Sequence, residues 1–133
     1  MPFDWSEYLS LADELSKRTD EGSLRSAISR AYYYVYHIAL RRAEPNGFQP
    51  LPGEGIHAQL WRCFRASPEA TCSKLGVIGE RLKDRRVKAD YDPNYLRITE
   101  DVQDVLTDAR DFDRRLKALP SRFPNPSSAR RWT

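Results

Sequence analysis

A chain of 133 residues with 22 basic and 19 acidic side chains, a net charge of +3 and a mean hydropathy of −0.72 is sized for one domain around a single core. No stretch reads as a membrane span: the best apolar run, Ala31 to Leu40, contains His37 and falls well short of the roughly 20 residues that a bilayer requires. Cys63 and Cys72 lack metal-site spacing and read as ordinary reduced thiols, and the opening MPFDWSEY has neither a basic start nor an apolar run, so the expected location is the cytoplasm.

In chain order, Asp4 followed by Glu7 predicts a helix start, and Leu9, Ala12 and Leu15 supply its buried stripe to about Arg18. Thr19 to Ser23 reads as a short turn. The long helix that follows, Leu24 to Arg42, carries two stripes at about 100° per residue. Leu24, Ile28, Ala31, Val35 and Ile38 form a core face, and Arg30, Tyr33, Tyr34, His37 and Arg41 stack beside it. Pro45, Asn46 and Gly47 stop this helix, and the Pro- and Gly-rich stretch to Gly55 is a loop. Ile56, Leu60 and Phe64 mark a third helix. A fourth carries Leu75, Ile78, Leu82 and Ala89 and ends at Tyr91 before Asp92 and Pro93; Gly76 and Gly79 weaken its first turn. Thr99 is the expected cap of a last helix with the stripe Val102, Leu106, Ala109, Phe112, Leu116 and Leu119. The expectation is an all-α, single up-and-down bundle of about five helices over residues 1–119, with a flexible, basic, Pro- and Ser-rich tail over 120–133. No alternating run predicts a strand.

Charge is distributed unevenly. The tail arginines Arg122, Arg130 and Arg131 account for the whole net excess, leaving a neutral body. Within that body residues 22–43 hold Arg25, Arg30, Arg41 and Arg42 without an acid, and a second basic run holds Arg81, Lys83, Arg85, Arg86 and Lys88. Adjacent, these two helices would make a positive groove for nucleic acid; the alternative is that their charges pair with the acidic terminal helices.

No phosphate-cradling glycine loop, metal cluster or activated serine or cysteine nucleophile emerges, and no cofactor is expected. His57, with only Glu54 nearby, offers too few ligands for a metal. What remains is Arg30 and His37, two helical turns apart and about 10 Å along the axis, so their side chains can converge on one phosphodiester. An imidazole takes the proton of a ribose 2′-hydroxyl, and a guanidinium holds the phosphate and the charge of the transition state. Such cleavage needs no metal. On residue types alone, a Tyr-rich face with one His is more often the mark of partly buried packing with a satisfied imidazole.

The segment Ser29, Arg30, Ala31, Tyr32, Tyr33, Tyr34, Val35, Tyr36 and His37 resembles the S-R-x-Y-Y-x-x-aromatic-H segment of small prokaryotic HEPN-domain proteins. Trp5, Tyr8, Leu9, Ala12 and Leu15 are similar to their first helix, and Arg86 with Ala89, Asp90 and Tyr91 to their R-x-x-A-D-Y segment. The resemblance implies a HEPN-like bundle and a metal-independent endoribonuclease of toxin or phage-defence type, assembled as a homodimer and neutralised by a nucleotidyltransferase-type antitoxin partner. Arg30 and His37 then form the catalytic pair, and Tyr33, Tyr34, Arg41 and Arg86 bind nucleic acid. Asp90, with Tyr91 beside it, serves either as a structural ion pair or as the group that orients His37. Two other readings stay open: a non-catalytic HEPN domain that binds RNA or a nucleotide, and a helical interaction module whose tyrosines and arginines anchor a protein partner.

Overall fold

The computed structural model describes residues 2–126. Five α-helices and no strand occur among the described residues: α1 (Ser6–Ser16), α2 (Glu21–Ala43), α3 (Ile56–Arg65), α4 (Ala70–Tyr91) and α5 (Ile98–Ala118), with a 3-10 turn over Glu44–Asn46. The all-helical expectation holds, and no helix is long and apolar enough to cross a membrane.

Local chemistry sets the ends. The Asp20 carboxylate accepts from Ser23 N at 3.0 Å and Ser23 Oγ at 2.7 Å, so α2 begins at Glu21, inside the segment expected to be a turn. The reason is that Asp20 offers an acceptor to a first-turn amide that lacks an intrahelical partner. Beyond the other end, Gly47, at φ 102°, closes the 3-10 turn that follows α2, in the left-handed region open to glycine. Asp4 likewise accepts from Ser6 N and Oγ, although α1 itself is shorter than expected and stops at Ser16. On α5 the expected Thr99 cap is absent: the helix starts at Ile98, preceded by Arg97 without a side-chain cap.

Helix α2 is the axis of the molecule, in contact with α1, α3, α4 and α5. Its core stripe is buried at Leu24, Ile28, Ala31 and Val35, with Ile38 packed at the margin. Tyr32, Trp61, Phe64 and Phe112 fill the centre. The α3–α4 crossing explains the two α4 glycines. A Cβ on Gly79 would stand 2.3 Å from the Trp61 ring, and one on Gly76 2.6 Å from the Arg65 backbone nitrogen. These residues let α3 approach, at a cost of about 1 kcal/mol each in helix propensity.

The segment expected to be a flexible tail from Pro120 starts out docked. Arg42 donates to the carbonyls of Leu116, Leu119, Pro120 and Phe123, Asn46 to that of Ser121, and Phe123 packs on the core. The expectation for 127–133 lies outside the described residues.

Candidate functional site

The middle of the long helix presents its aromatic and basic side chains to three different neighbours. Arg30 and His37 both face α1. The guanidinium of Arg30 lies 4.9 Å from the centroid of the Tyr8 ring, and the imidazole of His37 stacks on Trp5 at 3.4 Å with an interplanar angle of 8°. Trp5 and Tyr8 are themselves in edge contact at 5.2 Å. A continuous chain of ring contacts thus joins the two residues that the sequence pairs.

Neither polar head is otherwise occupied. Among the described residues Arg30 has its contact with Tyr8 and no ion pair, and the His37 ring has no hydrogen bond. Among the described residues no buried side-chain nitrogen or oxygen is left without a partner, so the unbonded His37 nitrogens reach solvent. Burial holds the His37 pKa below the ordinary 6.5, because a desolvated imidazole favours its neutral form. The result is a neutral ring at neutral pH, with a free lone pair and one face shielded by indole.

Tyr33 turns toward α4. Its ring lies under the Arg86 guanidinium, 4.9 Å from the centroid, a cation–π contact that orients both. Arg86 Nε donates to Asp90 Oδ2 at 2.8 Å, and Asp90 also accepts from Ser29 Oγ at 3.2 Å. Asp90 is therefore the structural ion pair of the two readings; the expectation that it orients His37 is corrected, since its carboxylate is taken by Arg86 and Ser29. Tyr91 is 72% exposed, with Arg86 5.6 Å from its centroid.

Tyr34 is not at this site. It is 5% exposed, and its hydroxyl donates to Asp113 Oδ1 of α5 at 2.5 Å. Burial, then that bond to the carboxylate, raises its pKa well above that of an ordinary phenol. The expected nucleic-acid contact is corrected to a buried anchor between α2 and α5, because one helical step of about 100° carries Tyr34 to the opposite flank from Tyr33. Arg41 remains exposed, and its charge helps to keep the Asp4 carboxyl low, after the hydrogen bonds from Ser6.

The predicted positive groove is only partly there. Arg81 pairs with Asp108 at 2.9 Å and Arg85 with Asp101 at 3.5 Å, both on α5. Arg25 binds Glu21 and the carbonyls of Ala89 and Asp92, and Arg42 is spent on the C-terminal carbonyls. The acidic last helix takes up two of the five cations of the second basic run, Arg81 and Arg85, as the pairing alternative has it; Arg86 pairs within α4 with Asp90, and Lys88 lies over the Tyr95 ring. On α2, Arg30 and Arg41 are left without a carboxylate or carbonyl bond among the described residues, and Arg86 of α4, held by Asp90, lies over Tyr33 beside them.

A residue the sequence reading set aside lies inside the cluster. His57, near the start of α3, stacks on Tyr36 at 4.1 Å and 16° and meets Tyr33 edge-on at 6.0 Å. Its Nδ1 is 2.6 Å from the Tyr32 hydroxyl, which accepts from Trp61 Nε1 at 3.0 Å. Burial, followed by the charges of Arg86, Lys83 and His37, lowers its pKa to about 4. No local pattern announces this: α3 reaches α2 only after a proline- and glycine-rich loop, and periodicity along one helix says nothing of a ring delivered by another.

No group of three or more His, Cys, Asp or Glu side chains that could hold a metal occurs among the described residues. Comparison with known protein families, with curated proteins and with solved structures finds no match in any of the three.

Proposed function

We propose that the α1–α2 face is an RNA-binding site and that Arg30 and His37 cleave the bound strand without a metal, as the resemblance to HEPN ribonucleases suggests. The observation that carries the reading is the state of His37: a ring fixed by stacking on Trp5, biased to the neutral form by burial, with nitrogens that no group among the described residues uses. A structural histidine is normally engaged through those nitrogens. Here His37 takes the 2′-hydroxyl proton, the 2′-oxygen attacks phosphorus and the P–O5′ bond breaks, leaving a 2′,3′-cyclic phosphate and a 5′-oxygen that takes its proton from water, while Arg30 holds the phosphate and offsets the charge of the transition state. Tyr33, supported by Arg86, offers a ring on which a base stacks, an interaction that any base makes. A homodimer, which the same resemblance implies, would bring two such faces together.

The test is cleavage of a single-stranded RNA panel in the presence of chelator. His37→Ala and Arg30→Ala each lower cleavage by about 100-fold or more, with the thermal midpoint nearly unchanged. The acid limb of kcat/KM lies below pH 6.5, since depression of the His37 pKa extends the range in which the base is neutral. Cleavage that survives His37→Ala defeats the catalytic reading.

A second reading has its own support. The Trp5 indole covers one face of His37 and Asp90 holds Arg86, an arrangement that suits a rigid RNA- or nucleotide-binding platform without chemistry. Tight RNA binding with no cleavage by any variant selects it.

A further inference from the structure

We propose that His57 is a phosphate-binding residue, its Nε2–H directed at a nonbridging oxygen of the RNA backbone beside Arg86 and Tyr33. The assignment deepens the RNA-binding reading of this face and, as to its physiological ligand, rests on it.

The hydrogen-bond order around Tyr32 determines the tautomer. Tyr32 is fully buried, and its oxygen accepts from Trp61 Nε1, which can only donate. The hydroxyl proton then needs an acceptor, and the one within reach is His57 Nδ1 at 2.6 Å. Were Nδ1 to carry a proton instead, the Tyr32 oxygen would receive two donors and its own proton would be stranded in the core, at a cost of a buried unsatisfied donor. His57 is therefore the neutral tautomer with its proton on Nε2. The low pKa of the ring agrees with this, since its main cause is burial and its next causes are the charges of Arg86 and Lys83.

The ring is held on three sides. Tyr36 stacks on it at 4.1 Å, Tyr32 lies nearly parallel at 5.6 Å, and Tyr33 closes the edge at 6.0 Å. Its Nε2 has no partner among the described residues, and no buried polar atom goes unsatisfied, so the N–H opens outward. A fixed neutral donor beside Tyr33, whose ring carries the Arg86 guanidinium, with no carboxylate bonded to it among the described residues, suits an anion with several acceptor oxygens. A phosphodiester is such a group, and Tyr33 lies beside it to receive a base.

Satisfying Tyr32 would by itself give His57 a purely structural role, and two substitutions separate the possibilities. Asn places an amide oxygen near the position of Nδ1 and lacks the outward donor. Gln reaches with its amide nitrogen toward the position of Nε2 and gives up the Tyr32 acceptor. The chain has only two histidines, so ¹⁵N-histidine spectra contain two rings. Full-length protein is titrated with inorganic phosphate and, separately, with a short oligouridylate. The expected result is that His57 is the Nε2–H tautomer, that its Nε2–H signal shifts with both ligands, and that His57→Asn retains the wild-type thermal midpoint while binding the oligonucleotide about tenfold more weakly. His57→Gln has the converse behaviour, with a lowered midpoint and retained affinity. Unmoved His57 signals, or wild-type affinity in His57→Asn, overturn the assignment. RNA binding with a silent His57 overturns this proposal and leaves the RNA reading intact. A His57 signal that moves with phosphate in a protein that binds no RNA removes the RNA reading and supports the phosphate site.

Discussion

At the scale of single residues, Tyr33 and Tyr34 are neighbours with opposite duties. Tyr34 reaches across to Asp113, whose other oxygen accepts from Lys117, so its hydroxyl ties α2 to α5 in a buried setting. Tyr34→Phe therefore lowers folding stability by about 1 kcal/mol, the worth of one hydrogen bond to a charged group less the residual solvation of Asp113. RNA affinity is unchanged. Chemical denaturation and a binding isotherm on the same variant check both halves; a loss of RNA affinity with stability intact would return Tyr34 to the site. Both tyrosines are visible in the sequence as members of one aromatic run, and what periodicity leaves open is which flank each occupies, because adjacent positions on a wide apolar helix face differ by only one step.

At the scale of elements, the α3–α4 crossing is where composition misleads. Gly76 and Gly79 read locally as weak points of a helix, since glycine lowers helix propensity by about 1 kcal/mol relative to alanine. In the fold that deficit is offset by the approach they permit, with Trp61 lying where a Gly79 Cβ would be. Gly79→Ala thus destabilises the protein by about 1 to 3 kcal/mol through overpacking, even though alanine is the better helix former. A thermal midpoint that rises on this substitution would show that Trp61 can move aside. The crossing has a further effect on the site: Trp61 fixes the Tyr32 hydroxyl, and that hydroxyl fixes His57, so a substitution in α4 is felt at the His57 ring through three contacts.

At the scale of the whole molecule, charge pairing sets how nucleic acid would bind. With Arg81, Arg85, Arg25 and Arg86 engaged by Asp108, Asp101, Glu21 and Asp90, and Arg42 by main-chain carbonyls, Arg30 and Arg41 of α2 and Lys83 of α4, whose charge acts on His57, have no carboxylate bond among the described residues. Each phosphate neutralised on a single strand contributes about −0.7 to the slope of log K against log salt, so roughly three contacts give a slope near −2. That is shallower than a groove built from both basic runs would give. A slope of about −4 or steeper, measured by fluorescence anisotropy between 50 and 300 mM salt, would mean that the α4–α5 ion pairs open to meet the RNA.

The sequence by itself determined the helices and the core stripe of α2, because a helix is a local structure and its buried face repeats at a period visible along the chain. It also placed Arg30 and His37 on one flank of one helix, since both lie on that same period. Only the tertiary structure decided what each polar head meets. Stacking of His37 on Trp5, capture of Asp90 by Arg86, withdrawal of Tyr34 to Asp113 and arrival of His57 against Tyr36 are contacts between separate helices, set by how those helices cross and by which buried donors must find acceptors. Such contacts leave no period in the sequence, and they decide which residues of a basic, aromatic helix remain free to bind and to react.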